Sequence, residues 1–491
     1  MRFLQLDRKS WFVILACLLP FFGFWAYGLT DLDEGFYGAV VVDMLRRGDW
    51  ITPTYNGVPW FEKPILAYWL AMPTVAVFGN EFGARLPSVL CSFGTIWVLF
   101  SFVRRHADLD LARVVAVAYA GCLLPAGLGR MMMTDAPLAL CLAIAVTQFF
   151  ESLDGRLGKR WIAAAAVGFG ILAKGPVAAI LFFGVIGTLF TIAPGLRPKF
   201  RGGWLIGLVI CLAVVSTWYV PCYLANGQSF IDRFLIEQNV GRFAGGDKAH
   251  GVPFYLHPIY FPVIVFLGAL PWTGWSLRTG LWKRGGESEN PDFTRLLWAW
   301  FWFPLVFFSI SGTKLPHYIL PSIAPLVILT VRAVVRSHPS RLTADRWLAA
   351  AGAWAVVIFA LSMPILHKVW DSQTKEVQSM AKFAWQQDKP LVIYEIGREG
   401  TDVSLSLDLQ QTSHPSILFY YRRPVLMTDK IAEVIAGGET RWMITRAGRL
   451  GDEDLANLVL AGWEIRPVVT PFEQQNYRLI EVGPELKNDA L

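Results

Sequence analysis

The chain has 491 residues, of which 54% are hydrophobic, with a mean hydropathy of +0.43 and a formal net charge of +6. This apolar content exceeds what the core of a soluble protein of that length requires, so the composition excludes an ordinary globular protein and indicates a membrane-embedded chain. The basic residues stand mostly in short loops between apolar runs, which is a membrane-orientation pattern and argues against a nucleic-acid partner.

The first apolar run, 11–29, follows Arg2, Arg8 and Lys9 and ends in bulky aromatic residues rather than in a small-residue cleavage site. This pattern predicts an uncleaved membrane anchor, and a removed signal peptide is the alternative. About eleven runs in all are long enough, or nearly so, to cross the hydrocarbon layer of a membrane. They are 11–29, 82–102, 111–128, 137–150, 161–173, 176–193, 204–224, 260–275, 296–310, 318–335 and 347–366.

Charge predicts which loops face the cytoplasm. With a cytoplasmic N-terminus, the loops that fall inside are all basic, as the positive-inside rule requires. They are 104–105, 156–160, 197–201, 278–295 and 336–346. The outer side receives the first loop 30–81, the turn 130–135, the segments 174–175, 225–257 and 311–317, and everything after 367. Carboxylates and isolated lysines beside apolar runs collect there, which predicts one outer site; unrelated interfacial anchors are the alternative.

A change of character after residue 366 predicts two domains. Residues 1–366 are predicted to form a polytopic α-helical membrane domain of about 11–13 helices, with the first outer loop at 30–81. In residues 367–491, short apolar runs alternate with charged stretches, some of them helical in pattern, which predicts a small soluble α/β domain on the periplasmic side. The runs are 391–394, 417–421, 442–445 and 477–482. The sequence shows no internal repeat, which argues against a transporter. The six cysteines show no metal spacing and are predicted to be core residues.

The first outer loop begins with the acidic sequence DLDE at 31–34 and continues through a predicted amphipathic helix. With the apolar stretch 65–78, it supplies two helices that can lie along the membrane surface and admit a lipid-linked substrate. On their own, Asp33 and Glu34 are more typical of a helix end or of a solvated acidic pair. The apolar face of the predicted helix consists of Tyr37, Val40, Val41, Met44 and Leu45.

Four motifs, in order and on the predicted outer side, resemble the membrane-embedded GT-C glycosyltransferases. They are DLDE at 31–34, GDW at 48–50, EKP at 62–64 and KLPHYILP at 314–321. The pattern is most similar to the branch that contains the bacterial aminoarabinose lipid A transferase and the protein O-mannosyltransferases. The resemblance covers the membrane domain well and the C-terminal domain only loosely, and it implies a GT-C fold.

Such enzymes take a sugar from a polyprenyl-phosphate carrier and transfer it with inversion to an acceptor. For this chain, the resemblance implies that Asp33 is the base that activates the acceptor, with Glu34 in support. The leaving group is a phosphate and already a stable anion, so cations that hold it suffice and no general acid is required.

Three cations are predicted to bind the donor phosphate. Lys63 follows Glu62 at a helix start, although a snorkelling interfacial lysine has the same pattern. Arg242 matches a family position, and its guanidinium suits bidentate phosphate binding. Lys174 opens an outer turn beside an apolar run and is assigned to the site, whereas Lys314 stands in a similar position and its role is left open.

Asp135, on the short turn before the run 137–150, either caps the following helix or, as the resemblance implies, binds the sugar or orients the site. Two departures from the family pattern affect the predicted substrate and metal. Phe36 precedes Tyr37 where the aminoarabinose transferases usually carry a basic residue. Gln238 stands where they have a histidine, and a carboxamide is a poor zinc ligand.

A divalent metal is a further expectation from the resemblance. Glu62 matches a family residue that can bind a cation near the donor phosphate. His250, farther along the outer loop that contains Gln238, can supply the missing imidazole. Such a pair would hold zinc, magnesium or manganese, but a metal-free site that relies on Lys63 and Arg242 is the favoured prediction.

The sequence therefore predicts an inverting glycosyltransferase of a bacterial inner membrane, with its active site on the periplasmic side. The expected partners are a polyprenyl-phosphate-linked sugar, with 4-amino-4-deoxy-L-arabinose as a candidate, and lipid A or another glycan or protein acceptor, besides the membrane lipids. A protein O-mannosyltransferase-like enzyme is the alternative within the class. A transporter would place charged groups at the bilayer midplane, and a non-catalytic scaffold would leave the charged first loop without a common purpose.

Overall fold

The computed structural model describes residues 7–31, 33–241, 254–278, 290–336, 341–395 and 414–485. Helices predominate, and several begin where a side chain caps them: Asp7, Asp108 and Asn290 each accept a hydrogen bond from a backbone N–H in the first turn. The longer α-helices are Arg8–Leu18, Glu34–Arg47, Leu66–Phe78, Glu81–His106, Leu109–Ala120, Leu123–Gly129, Asp135–Ser152, Leu157–Lys174, Val177–Ile192, Trp204–Asn226, His257–Gly268, Trp272–Arg278, Pro291–Ile310, Leu320–Arg336, Arg341–Gln373, Lys375–Gln386, Ser416–Tyr421, Ile431–Ala436 and Asp452–Leu460. Ile231–Gly241 is a π-helix.

Two compact units make up the chain. The first comprises Met1–Phe24, Phe61–Leu70 and Arg85–Met363, and the second comprises Trp25–Trp60, Ala71–Ala84 and Pro364–Leu491. The predicted domain boundary after residue 366 lies close to the boundary after Met363. The first loop differs from the prediction, because most of 30–81 groups with the C-terminal residues rather than with the membrane domain.

The first unit contains the apolar helices. Among the described residues, six helices of the chain are long and apolar enough to cross a membrane, or up to eight if each of two bent pairs is one span. This is fewer than the roughly eleven predicted spans, because several apolar runs fold into helices that are shorter or bent. Leu109–Ala120 meets Leu123–Gly129 at 64°, His257–Gly268 meets Trp272–Arg278 at 108°, and Val177–Ile192 has 16 residues.

The helices of the first unit include both a buried core helix and an apolar helix that is mostly exposed, a pattern expected in lipid. The Leu320–Arg336 helix is buried along almost its whole length and forms part of the unit's core. The Trp204–Asn226 helix is apolar all round, yet only Gly207, Trp218 and Cys222 are buried, as expected of a helix that faces lipid. All six cysteines are free thiols and all but one are buried, which confirms them as predominantly core residues.

Two buried arginines hold the end of the first apolar run, where the backbone leaves its helix. Arg85 donates from Nη1 to the Phe24 carbonyl at 2.8 Å, and Arg130 donates to the Phe22 carbonyl and to Ser362 Oγ. The two arginines are 0% and 1% exposed. Non-helical backbone in apolar surroundings needs such donors, so these side chains stabilise the break in the helix.

In the second unit, the first loop folds as the predicted amphipathic helix followed by a hairpin. The Glu34–Arg47 helix buries its apolar face. Strands β1 (Thr54–Tyr55) and β2 (Val58–Pro59) are joined by Asn56-Gly57, whose positive φ angles of 51° and 84° suit the tight turn of a hairpin. The Asn56 side-chain amide exchanges two hydrogen bonds with the backbone of Val425, at 2.9 and 3.0 Å. These long-range bonds explain why the loop belongs to the unit that contains the C-terminal residues.

The C-terminal residues of the second unit form a small α/β fold around a mixed sheet, as predicted. The strands are β3 (Leu391–Tyr394), β4 (Leu426–Thr428), β5 (Arg441–Arg446), β6 (Trp463–Pro467) and β7 (Tyr477–Pro484). They lie in the order β4-β3-β5-β7-β6. Strand β3 pairs in parallel with β4 and β5, while β7 pairs antiparallel with β5 and β6. The strands and helices share a core that includes Val392, Met443, Val482, Val434 and Leu458.

Candidate functional site

A buried ion pair joins two helix ends of the first unit. Asp135 begins the Asp135–Ser152 helix, and Lys174 ends the Leu157–Lys174 helix. Lys174 Nζ lies 2.5 Å from Asp135 Oδ1, and the two side chains are 12% and 3% exposed. The chain leaves Lys174 through Gly175, whose φ of +80° and ψ of −162° a residue with a side chain rarely adopts. The glycine therefore allows the lysine to stand at the very end of its helix.

Asp135 does not cap its helix, which was one of its two predicted roles. The N-cap residue is Thr134, and Asp135 lies in the first turn, where the helix dipole favours a negative charge. While Oδ1 binds Lys174, the buried Oδ2 accepts no hydrogen bond from any residue that the structure describes. A buried acceptor without a donor costs free energy. This oxygen is therefore suited to receive a hydrogen-bond donor from a bound substrate.

Lys63 and His317 complete what we call the Asp135 cluster, namely Asp135, Lys174, Lys63 and His317. The charges of Lys174, His317 and Lys63 all act on the Asp135 carboxylate. Lys174 Nζ also lies 4.8 Å from the centre of the Tyr318 ring, next to His317. Electrostatics thus link three of the predicted site residues, namely Asp135, Lys174 and Lys63. His317 and Tyr318 were not singled out, although the KLPHYILP motif contains both.

Lys314, whose role was left open, caps a helix. Its Nζ donates to the carbonyl oxygens of Phe308 at 3.3 Å and Ser309 at 3.0 Å, and also to that of Ser311. These carbonyls lie at the C-terminal end of the Pro291–Ile310 helix, where unpaired carbonyl groups and the helix dipole favour a cation. Burial lowers the pKa of Lys314. The Lys314 ammonium group is therefore bound by backbone carbonyl oxygens of the protein itself.

Glu62 lies half-buried in the irregular segment before the Leu66–Phe78 helix, and the ring of the preceding residue, Phe61, packs edge-on against Phe230 in the first unit. The described ranges include no group of three or more His, Cys, Asp or Glu side chains that could hold a metal ion. Arg242 and His250 lie outside the described residues. The phosphate contact of Arg242 and the Glu62–His250 metal pair therefore stay predictions.

The acidic pair of the first loop consists of one exposed and one buried carboxylate. Glu34 is 0% exposed, and its Oε2 accepts hydrogen bonds from the Thr30 N–H at 3.0 Å and the Thr30 hydroxyl at 2.9 Å. Asp33 is exposed, and its side chain makes no capping bond to the Glu34–Arg47 helix. Glu34 thus closes a tight loop with Thr30, while the neighbouring residue Asp33 is exposed.

Comparisons with known proteins find membrane glycosyltransferases among those that the chain resembles. Residues 62–220 match the family model described as dolichyl-phosphate-mannose-protein mannosyltransferase. An undecaprenyl phosphate-alpha-4-amino-4-deoxy-L-arabinose arabinosyl transferase of Enterobacter sp. (strain 638) is 31% identical over 67% of this chain and 59% of its own. An uncharacterized protein of Aquifex aeolicus is 30% identical over 66% of this chain and 72% of its own. The chain spans 59–63% of the length of three arabinosyl transferases that it matches.

The fold likeness extends over nearly the whole chain. The crystal structure of ArnT from Cupriavidus metallidurans bound to undecaprenyl phosphate matches with a TM-score of 0.77 at 21% identity, over 97% of this chain and 98% of that one. The fold is therefore that of a polytopic α-helical membrane protein of the GT-C class with a small C-terminal α/β region. This confirms the predicted fold class. Taken with the sequence matches, it shows that the chain belongs to the GT-C glycosyltransferase superfamily that contains the aminoarabinose lipid A transferases and the protein O-mannosyltransferases.

Proposed function

We propose that this protein is an inverting glycosyltransferase that moves a sugar from a polyprenyl-phosphate carrier to lipid A or another acceptor of the cell envelope. The observation that carries the proposal is the Asp135 cluster, in which Lys174 binds a buried carboxylate at a helix end of an apolar unit and the charge of Lys63 acts on the same carboxylate. Cations in such a place suit the phosphate of a lipid carrier. Relatives named for undecaprenyl phosphate and 4-amino-4-deoxy-L-arabinose support that carrier and that sugar.

In the proposed reaction, the acceptor oxygen attacks the anomeric carbon of the donor sugar from the side opposite the phosphate. A new carbon–oxygen bond forms, the bond from the anomeric carbon to the phosphate oxygen breaks, and the configuration inverts. Asp33 takes the acceptor proton. The electron pair of the broken bond stays on the polyprenyl phosphate, whose charge Lys63 and Lys174 stabilise, with Arg242 as a third predicted cation.

Asp135 is proposed to bind the donor sugar through its free oxygen atom. Lys174 engages Oδ1 and fixes the carboxylate, so that Oδ2 can accept a hydrogen bond from a sugar hydroxyl or an amino substituent. Hydrogen bonds that involve an ionised partner are roughly twice as strong as neutral ones. An aminated sugar would therefore gain more from this contact than a sugar with hydroxyl groups alone.

We further propose that transfer takes place at the periplasmic face of a bacterial inner membrane. The loops 104–105, 156–160 and 197–201 are basic, which favours a cytoplasmic position for each of them. Asp33, Lys63 and Asp135 then belong to segments on the opposite side.

A protein O-mannosyltransferase-like activity is the second candidate. The match of residues 62–220 to the mannosyltransferase family model supports it. The same base and the same phosphate-binding cations would serve either reaction. The two candidates therefore differ only in the sugar and the acceptor.

The deciding experiment offers the purified protein, in lipid nanodiscs, undecaprenyl-phosphate-linked aminoarabinose or mannose together with lipid A or a peptide acceptor. Mass spectrometry of the products identifies the sugar and the acceptor at once. We expect transfer of aminoarabinose to lipid A. Transfer from neither carrier would contradict the proposed class, whereas mannosylated peptide would establish the second candidate.

Two variants separate the base from the phosphate site. Asp33→Asn keeps size but removes basicity, so we expect kcat to fall by about 10²–10⁴ while the Kd for undecaprenyl phosphate is unchanged. Lys63→Ala should weaken that Kd by about tenfold or more. Asp345→Asn and Lys9→Ala are matched controls, because they break an ion pair whose side chains are 45% and 46% exposed. A normal kcat for Asp33→Asn would end its assignment as the base.

A further inference from the structure

In the second unit, buried polar side chains connect the DLDE segment with the C-terminal sheet. The Nδ1 atom of His414 lies 2.7 Å from Asp31 Oδ2, and its Nε2 atom lies 2.7 Å from the hydroxyl of Tyr477, the first residue of β7. The side chains of His414 and Asp31 are 10% and 7% exposed. Hydrogen bonds shielded from water in this way are stronger than exposed ones.

The backbone just before DLDE is held from the same side. The Leu29 carbonyl accepts a hydrogen bond from Gln378 Nε2 at 2.7 Å, and the Leu29 N–H donates to the Tyr420 hydroxyl at 3.0 Å. The Ser416 N–H donates to Asp31 Oδ1 at 3.0 Å. Residues from the C-terminal part thus bind both carboxylate oxygens of Asp31 and both polar backbone groups of Leu29. We call these contacts, with those of His414, the Leu29–Asp31 anchor.

Glycines allow the two segments to approach this closely. A Cβ atom at Gly28 would lie 2.1 Å from Gln378 Oε1 and 2.2 Å from Trp370 Nε1. A Cβ atom at Gly35 would lie 2.7 Å from the backbone nitrogen of Ser416. No side chain fits at such distances, so the sequence on both sides of the acidic motif is adapted to contact with the C-terminal residues.

We propose that His414 and Tyr477 are positioning residues for the transfer reaction, because they fix the segment from which Asp33 projects. The inference rests on the proposed role of Asp33 as the base. Asp33 is the N-cap residue of the Glu34–Arg47 helix and lies two residues after Asp31, so a shift of this backbone moves its carboxylate. Glu34 holds one side through Thr30, and the Leu29–Asp31 anchor holds the other. Displacing a reacting group by about 1 Å can lower a rate by about 10²-fold.

The test uses two tyrosine variants of the full-length protein in nanodiscs. Tyr477→Phe removes the hydroxyl that binds His414. Tyr421→Phe is the matched control, because it removes a partly buried hydroxyl bond to the Lys389 carbonyl, at 2.8 Å, that is not one of the bonds of the anchor. His414→Ala removes the contacts with both Asp31 and Tyr477, whereas His414→Gln retains a side chain that can donate and accept.

Hydrogen–deuterium exchange of peptides covering residues 29–35 measures, without any substrate, how strongly the anchor protects this backbone from exchange. We expect Tyr477→Phe to raise the exchange rate there by about tenfold, His414→Ala to raise it further and Tyr421→Phe to leave it unchanged. In the transfer assay, we expect Tyr477→Phe to lower kcat by about tenfold and to leave the KM for the carrier unchanged. We expect the kcat of His414→Gln to lie between those of His414→Ala and the parent protein.

The possible outcomes separate the existence of the anchor from the proposed function of the protein. Unchanged exchange at 29–35 in both Tyr477→Phe and His414→Ala would overturn the anchor, whatever the protein catalyses. Faster exchange together with a parental kcat would overturn its link to Asp33. A parent protein that transfers no sugar would contradict the proposed function, while the exchange measurement would still decide whether the anchor exists.

Discussion

At the scale of single residues, the pairing of Asp135 with Lys174 makes each charge depend on the other. Removing one partner of a buried pair leaves an uncompensated charge and destabilises a protein by about 3–5 kcal/mol, whereas an exposed pair contributes about 0–1 kcal/mol. We therefore expect Lys174→Met to lower the Tm markedly and Asp135→Asn, added to it, to restore part of the loss. Lys9→Met, which breaks an exposed pair, is the control.

Thermal unfolding in nanodiscs measures these Tm values, and the double variant shows whether the two positions are coupled. Equal stability of Lys174→Met and Lys9→Met would contradict a buried pair. A stability loss in Lys174→Met that Asp135→Asn deepens would place the lysine's main partner elsewhere.

The sequence distinguishes these residues only in part. Lys174 and Lys314 both stand alone beside apolar runs on the predicted outer side, and nothing local separates them. In the structure, one binds a carboxylate and the other binds carbonyl groups at a helix end. The charge of His317 acts on Asp135 although the two residues are distant along the chain, so spacing along the sequence did not reveal it.

At the scale of elements, Lys314 shows how one side chain stabilises a helix end. Its Nζ satisfies carbonyl groups at the end of the Pro291–Ile310 helix, and losing a charged hydrogen bond of this kind costs about 1.5–3 kcal/mol. We expect Lys314→Met to lower the Tm while leaving the Kd for undecaprenyl phosphate unchanged. Measuring both quantities on one preparation is decisive, since a weakened Kd at a parental Tm would instead make Lys314 a phosphate ligand.

The elements that the sequence predicts are those with long or continuous apolar patterns. Strands β3, β5 and β7 coincide with predicted apolar runs of the C-terminal domain. The run 417–421 lies in the Ser416–Tyr421 helix. Five residues are too few to separate a period of 2 from one of 3.6, so the sequence alone does not assign this run to a helix or a strand. Strand β4 has 3 residues, and β6 is only partly buried and ends in a proline, so neither has an apolar run to mark it.

At the scale of the whole molecule, the grouping of the first loop with the C-terminal residues was outside the reach of sequence patterns. The hydrogen bond between His414 and Asp31 joins positions 383 residues apart, and the bonds between Asn56 and Val425 join positions 369 apart. Periodicity, charge and caps record only neighbours along the chain. The same long-range bonds nevertheless constrain the topology, because two segments that exchange hydrogen bonds must lie on the same side of the membrane.

The fold of the second unit and the charge of the loops therefore make two independent predictions about membrane topology. Reporter fusions after Asn56 and after Gln373 must report the same side, because both positions belong to the second unit. The charge of the loops adds which side it is: we expect both in the periplasm and fusions after Gly155 and Pro198, in basic loops, in the cytoplasm. A reporter active only in the periplasm, paired with one active only in the cytoplasm, reads all four positions. Opposite results at Asn56 and Gln373 would contradict the fold of the second unit, whereas a shared cytoplasmic result would leave that fold intact and reverse the proposed orientation of the enzyme.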